Sequence, residues 1–169
     1  LQDYAGAPEG SAVLLGNGSD EIITLLALAT AQPGAEGRAK MLAPMPGFVM
    51  YPMSAQLQGL DFVPVQLTAD FDLDVPAMLA TIAAQQPAIT YLAYPNNPTA
   101  TLWAEDKVQA VIDAVGAIGG LVVMDLFDQG ELLFSMNYAC PDCGVSIEEL
   151  APPQPLCTLP VNNTRRGGR

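Results

Sequence analysis

The sequence predicts an α/β fold, a mostly parallel sheet flanked by helices, and three observations carry that expectation. Short apolar runs alternate with helical stretches from residue 11 to residue 125. The runs are near-continuously apolar, as in strands covered by helices on both faces. Turn-forming clusters of Gly, Pro, Asn and Asp separate them, so each run reads as one strand of a series joined by right-handed crossovers.

Taken in order, strands are expected at about 12–15 (AVLL), 40–43 (KMLA), 61–67 (DFVPVQL), 89–93 (ITYLA) and 121–125 (LVVMD), with helices at about 19–31, 47–58, 74–85 and 105–118. Ser19-Asp20-Glu21 offers a capping side chain and two carboxylates to the first turn of an apolar helix. Asp74 precedes Val75-Pro76, placing a proline in a first turn, where its missing N–H costs nothing. Val108, Val111, Ile112 and Val115 recur at three-to-four spacing, the mark of a buried helix face, and Gly119-Gly120 ends that helix.

The chain has 169 residues, enough for one domain with a sizeable core or slightly more. It is 50% hydrophobic and 14% charged, which is globular composition. A formal net charge of -12 with no histidine argues against nucleic acid as a partner and against an anionic membrane surface. No apolar run reaches the roughly 18 residues of a membrane span, and the opening residues lack a signal-peptide pattern. Three cysteines, all after residue 139, make no disulfide framework, so a reducing, cytoplasmic setting is expected.

In an open α/β sheet, ligands bind outside the carboxyl ends of the strands. Four clusters fall at such ends. Gly16-Asn17-Gly18-Ser19-Asp20 allows a tight turn into a helix whose free N–H groups suit a phosphate; an ordinary helix start accounts for it equally well. Ala43-Pro44-Met45-Pro46-Gly47-Phe48 delivers an aromatic ring that either stacks on a flat heterocycle or packs in the core. Tyr94-Pro95-Asn96-Asn97-Pro98-Thr99 brackets paired amides with prolines, more than a simple turn requires. Asp125 ends a buried strand with a carboxylate, suited to pairing with a protonated pyridine nitrogen or to capping a loop. A phosphate seat, a stacking ring, an amide and a carboxylate together suit pyridoxal phosphate.

The strings LLGNGSDEIITLLALA, APMPGFVMYPMSAQLQGLDFVPV, ITYLAYPNNPTATLW and GGLVVMD, in this order over residues 1–125, resemble the histidinol-phosphate aminotransferase family, and YPNNPTA resembles the Asn-Pro-Thr motif of the wider class of aminotransferases. The resemblance implies a partial large domain of a fold-type-I pyridoxal-phosphate enzyme. It implies that N–H groups around Ser19 and Asp20 hold the cofactor phosphate and that Phe48 stacks on the ring. Asn97 would hydrogen-bond the phenolic oxygen, and Asp125 would pair with the ring nitrogen. The implied reaction exchanges an amino group between glutamate and imidazole-acetol phosphate, a phosphorylated keto substrate, in histidine biosynthesis. The implied assembly is a homodimer with its site at the subunit interface.

Three features depart from that pattern. Asp125 is followed by Leu126-Phe127-Asp128 where the family has Glu-Ala-Tyr. No lysine matches the family's Schiff-base lysine, and no downstream arginine matches the one that binds substrate carboxylate. The lysines present, Lys40 and Lys107, are expected to be solvated. No catalytic residue is therefore assigned, and the chain alone is expected to be inactive.

The pattern also changes after Asp125. Neither a crossover helix nor a further buried strand is expected from 126 to 151, and 152–169 is expected to be a loop or disordered tail. Residues 132–151 (LLFSMNYACPDCGVSIEELA) resemble the zinc-module region of the ATP-binding subunit of bacterial nucleotide-excision repair. Cys140 and Cys143 are a CxxC, half of a four-cysteine zinc site whose second half is missing, so no metal is expected. The expected organisation is a cofactor-binding part at 1–125, an unrelated segment at 126–151 and a tail at 152–169, the change near 126 reading as a junction of unrelated frames. The alternatives are a non-catalytic α/β remnant that binds a phosphorylated ligand, and a zinc-binding module at 126–151.

Overall fold

The structure, a computed structural model, describes residues 13–32, 37–128 and 131–137, of which 127, 128 and 131–137 are given by backbone alone. Among the described residues, five strands form one sheet. β1 (Lys40–Met45), β2 (Asp61–Gln66), β3 (Ile89–Tyr94) and β4 (Leu121–Asp128) are mutually parallel, and β5 (Glu131–Asn137) runs antiparallel to β4, in the spatial order β2-β1-β3-β4-β5. The helices are α1 (Ser19–Thr30), α2 (Met50–Gln58), α3 (Val75–Gln85) and α4 (Glu105–Ala117).

Strand alternation sorts the core onto two faces. Met41 and Ala43 of β1, Ile89, Tyr91 and Ala93 of β3, and Val123 of β4 pack with Ile22, Ile23, Leu26, Tyr51 and Ala55 of α1 and α2. The intervening Leu42, Leu92, Val122 and Met124 pack with Met78 and Ile82 of α3 and with Val108, Val111, Ile112 and Val115 of α4. Both faces being covered explains why these strands read as continuous apolar runs. The chain leaves β1 toward β2 on one side and leaves β3 toward β4 on the other. With right-handed crossovers, opposite directions put α2 on one face and α3 and α4 on the other. The boundary between β1 and β3 is thus the topological switch point, where such sheets open a crevice.

Local chemistry widens that crevice. The β1–β3 ladder pairs Met41 with Ile89 and Leu42 with Thr90 and goes no further, whereas β1 stays paired with β2 to its end. Pro44 has no N–H to give to a ladder, so the two strands part at their carboxyl ends. Pro64 is tolerated because β2 lies at the edge of the described sheet.

Helix signals mostly act as read. The Asp74 carboxylate accepts from Ala77 N at 3.0 Å, capping α3 beside Pro76. Gly119, at φ 72°, closes the turn after α4. Three expectations need correction. Residues 13–15 of the expected strand at 12–15 are not strand, and Leu14 and Leu15 are 60% and 67% exposed. A short apolar run with no neighbouring strand among the described residues to complete its hydrogen bonds has no reason to extend. Ser19 does not cap α1; Gly18, at φ 80°, holds the cap position, and the Glu21 carboxylate reaches back to accept from Asn17 N. Finally, β4 continues to Asp128, past the expected end at 125, and β5 follows in a segment to which the sequence reading assigns no element. The period-two alternation of Leu132, Phe134 and Met136 with Leu133, Ser135 and Asn137 carries that strand. Cys140, Cys143 and the expected tail at 152–169 lie outside the described residues.

Candidate cofactor site

A cavity of about 300 Å³ opens at the switch point, lined by Ser19, Phe48, Ala93, Pro95, Asn96, Asn97, Pro98, Ala100 and Asp125. Four of the five residues singled out from sequence therefore meet in one place: Ser19, Phe48, Asn97 and Asp125. The fifth, Asp20, is not in the lining, although its charge is felt at Asp125.

Each lining residue is delivered by a local device. Ser19 is the first residue of α1, so the start of that helix, with a hydroxyl not used in capping, stands at the cavity. Phe48 follows Gly47, where a Cβ would lie 2.4 Å from the Pro44 carbonyl oxygen; only glycine lets the chain fold back this closely. The paired asparagines divide their work. Asn96 is 3% exposed, and its Nδ2 donates to the Pro46 carbonyl at 3.1 Å and to Thr99 Oγ1 at 2.8 Å. Asn97 is exposed and turns to the cavity.

Asp125 is 7% exposed and sits opposite Ala93 in the parallel register, on the sheet face that α1 and α2 cover. The Tyr51 hydroxyl donates to its Oδ2 at 2.5 Å. Burial pushes the Asp125 carboxyl above its ordinary range; the Tyr51 hydrogen bond opposes that rise, and the Asp20 charge adds to it. Burial, followed by the Asp125 charge, pushes the hydroxyls of both Tyr51 and Tyr91 upward, so both stay protonated at any ordinary pH.

Tyr51 and Tyr91 were not singled out in the sequence. Tyr51 lies three residues after Phe48, the spacing that puts two side chains on one helical face, and that was the available signal. The rings form a chain: Phe48 meets Tyr51 edge-on at 5.6 Å and 87°, and Tyr51 stacks on Tyr91 at 4.5 Å and 18°.

The cations lie elsewhere. Lys40, at the far end of β1, donates to Gln85 Oε1 at 3.0 Å, Lys107 pairs with Asp72, and Arg38 pairs with Asp61 at 3.5 Å. The two lysines are thus partnered instead of simply solvated. Among the described residues, no basic side chain lines the cavity.

Comparison with known proteins agrees with this geometry. The histidinol-phosphate aminotransferase of Paracidovorax citrulli is 76% identical over 125 residues, and that of Acidovorax sp. strain JS42 is 70% identical over the same length. These alignments cover 74% of this chain but 34% and 33% of the relatives, so the chain spans about a third of the length of the curated proteins it matches. Among solved structures, the histidinol-phosphate aminotransferase from Clostridium acetobutylicum superposes with a TM-score of 0.62 at 22% identity, over 73% of this chain and 34% of that one. A pyridoxal-phosphate-bound C-S lyase from Staphylococcus hominis gives 0.63 at 14% identity, over 83% of this chain and 38% of that one. Both likenesses establish the fold. The sequence profile of the class I and II aminotransferases matches residues 2–127, and the chain belongs to that family.

Proposed function

We propose that residues 1–125 form the cofactor-binding part of a histidinol-phosphate aminotransferase, which exchanges an amino group between glutamate and imidazole-acetol phosphate in cytoplasmic histidine biosynthesis. The observation that carries this reading is Asp125, a buried carboxylate facing a cavity with no cation beside it among the described residues. A buried anion calls for a cationic partner. A protonated pyridine nitrogen is one, and the other walls of the cavity suit the rest of pyridoxal phosphate. Identity of 76% to a relative of that name supports the choice within the family.

In this reading the first-turn N–H groups of α1 and the Ser19 hydroxyl hold the phosphate, helped by the positive end of the helix dipole. Asp20, in that turn but outside the lining, contributes its N–H. Phe48 lies against the ring face and excludes water. Asn97 donates from Nδ2 to the phenolic oxygen. Asp125 holds the proton on the ring nitrogen. Pyridoxal phosphate, when bound, supplies an electron sink for the carbanion formed when the substrate Cα–H bond breaks. Neither Lys40 nor Lys107 lines the cavity, so this chain's described residues bind and orient without supplying the base. Pairing of two such chains in a homodimer belongs to the same reading, as does a functional boundary near residue 126.

The test is equilibrium titration of the full chain with pyridoxal phosphate, followed by borohydride reduction. Saturable binding near one equivalent, weakened by Asp125→Ala and leaving no cofactor attached to Lys40 or Lys107 after reduction, is expected. Absence of saturable binding would sink the proposal.

A further inference from the structure

Resting on the cofactor reading above, we infer that Tyr51 is a positioning residue, which fixes the Asp125 carboxylate toward a cationic ring nitrogen in the cavity. Asp125 has two oxygens. Oδ2 is taken by the Tyr51 hydroxyl, and the residue still lines the cavity, so the carboxylate's remaining acceptor capacity is what a ligand meets.

The donor is held rigidly. Tyr51 is 1% exposed, its ring stacked on Tyr91, which is fully buried, and met edge-on by Phe48. The Tyr91 hydroxyl donates in turn to the Ile23 carbonyl of α1 at 3.3 Å. Swinging the Tyr51 hydroxyl away would require displacing both neighbouring rings. The hydroxyl is also a donor at every working pH, because ionising it beside Asp125 would bury two like charges together.

The groups acting on Asp125 oppose one another. Burial and the Asp20 carboxylate both favour the neutral acid, and the Tyr51 hydrogen bond is the contact that favours the anion. The same tyrosine braces Phe48, so one side chain ties the wall of the cavity to its carboxylate.

The experiment uses the full chain and Tyr51→Phe, which keeps the ring and removes the hydroxyl. Titrating the Asp125 carboxyl by 13C NMR without ligand should show its midpoint about one pH unit higher in the variant, the size expected for losing a hydrogen bond to a charged group. Binding of pyridoxal phosphate should weaken about tenfold. Binding of its 1-deaza analogue, with CH in place of the ring nitrogen, should not change. An unmoved midpoint, or equal losses for both ligands, would overturn the role of Tyr51 while leaving the cofactor reading intact. Failure of the unmodified chain to bind pyridoxal phosphate would overturn that reading and this inference with it. If Tyr51→Phe does not fold, the Tyr51 hydroxyl proton in the unmodified chain decides. A slowly exchanging, downfield signal that moves upfield in Asp125→Asn supports the role, and its absence refutes it.

Discussion

Asn96 Nδ2 reaches the carbonyl of Pro46 across 50 residues of sequence, tying the end of β3 to the loop after β1 at the point where the two strands have parted. The same amide donates to Thr99 Oγ1, and the Asn96 backbone N–H donates to the Thr101 carbonyl at 2.9 Å. Asn96 therefore holds the mouth of the crevice at a set width, and Asn97, one residue on, is left to face what enters it.

The two asparagines should separate cleanly in experiment. Asn96→Ala removes a buried amide together with its hydrogen bonds to the Pro46 carbonyl and to Thr99 Oγ1, and should cost about 1–3 kcal/mol of stability, read as a lower urea midpoint. Asn97→Ala removes an exposed amide and should stay within about 0.5 kcal/mol of the parent chain. Affinity for pyridoxal phosphate should fall about tenfold in Asn97→Ala. Equal destabilisation by both substitutions would show that the division of roles is wrong.

Phe48 is half-buried, with its edge on Tyr51 and its side chain at the cavity. Phe48→Leu keeps apolar volume and loses the flat face. A stacked aromatic pair contributes about 0.5–1.5 kcal/mol beyond area, so binding of pyridoxal phosphate should weaken roughly three- to tenfold. Binding of inorganic phosphate, which has no ring, should be the same in both proteins. A parallel loss for phosphate would mean that Phe48 shapes the pocket without stacking.

Asp125 should make the chain's stability depend on pH in a specific sense. Its folded-state pKa is raised by burial, so the folded protein holds the proton more tightly than the unfolded chain. The penalty for the buried anion is absent below the ordinary aspartate range and is fully present above the raised folded value. Asp125→Asn, which keeps an oxygen acceptor for Tyr51, should therefore be more stable than the parent at pH 7. That advantage should shrink as pH falls toward 4. Urea midpoints at the two pH values test this, and a constant or reversed difference would refute it.

Much of the fold was legible because local and tertiary demands agree. Val108, Val111, Ile112 and Val115 are all buried at their helical spacing, and Asp74 caps the helix that its position announced. The cavity residues Phe48, Asn97 and Asp125 were legible because prolines and glycines mark strand ends, and the switch point gathers those ends. The Tyr51–Asp125 contact was not, since it joins residues 74 apart whose meeting depends on α2 covering one particular sheet face. Leu14 and Leu15 misled because apolar character alone does not distinguish a strand from an exposed apolar segment. β5 was not legible because the adjacent Leu132 and Leu133 blur its period-two pattern at the start.

The outer surfaces of α1 and α2 carry the last expectation. Leu25 and Leu28 are 42% and 56% exposed, and Met53 and Leu57 are 46% and 73% exposed, on two helices that pack against each other. Large apolar side chains gathered on neighbouring helices favour association. The chain should therefore self-associate at micromolar concentration, eluting in size exclusion above the mass of a monomer. Leu28→Lys with Leu57→Lys should shift elution toward the monomer and raise the soluble fraction. Both sites are exposed, so each change should cost within about 0.5 kcal/mol of stability. A parent chain that elutes as a monodisperse monomer with a sharp melt would show that these leucines are ordinary surface residues, because removing them could then change nothing in the assembly.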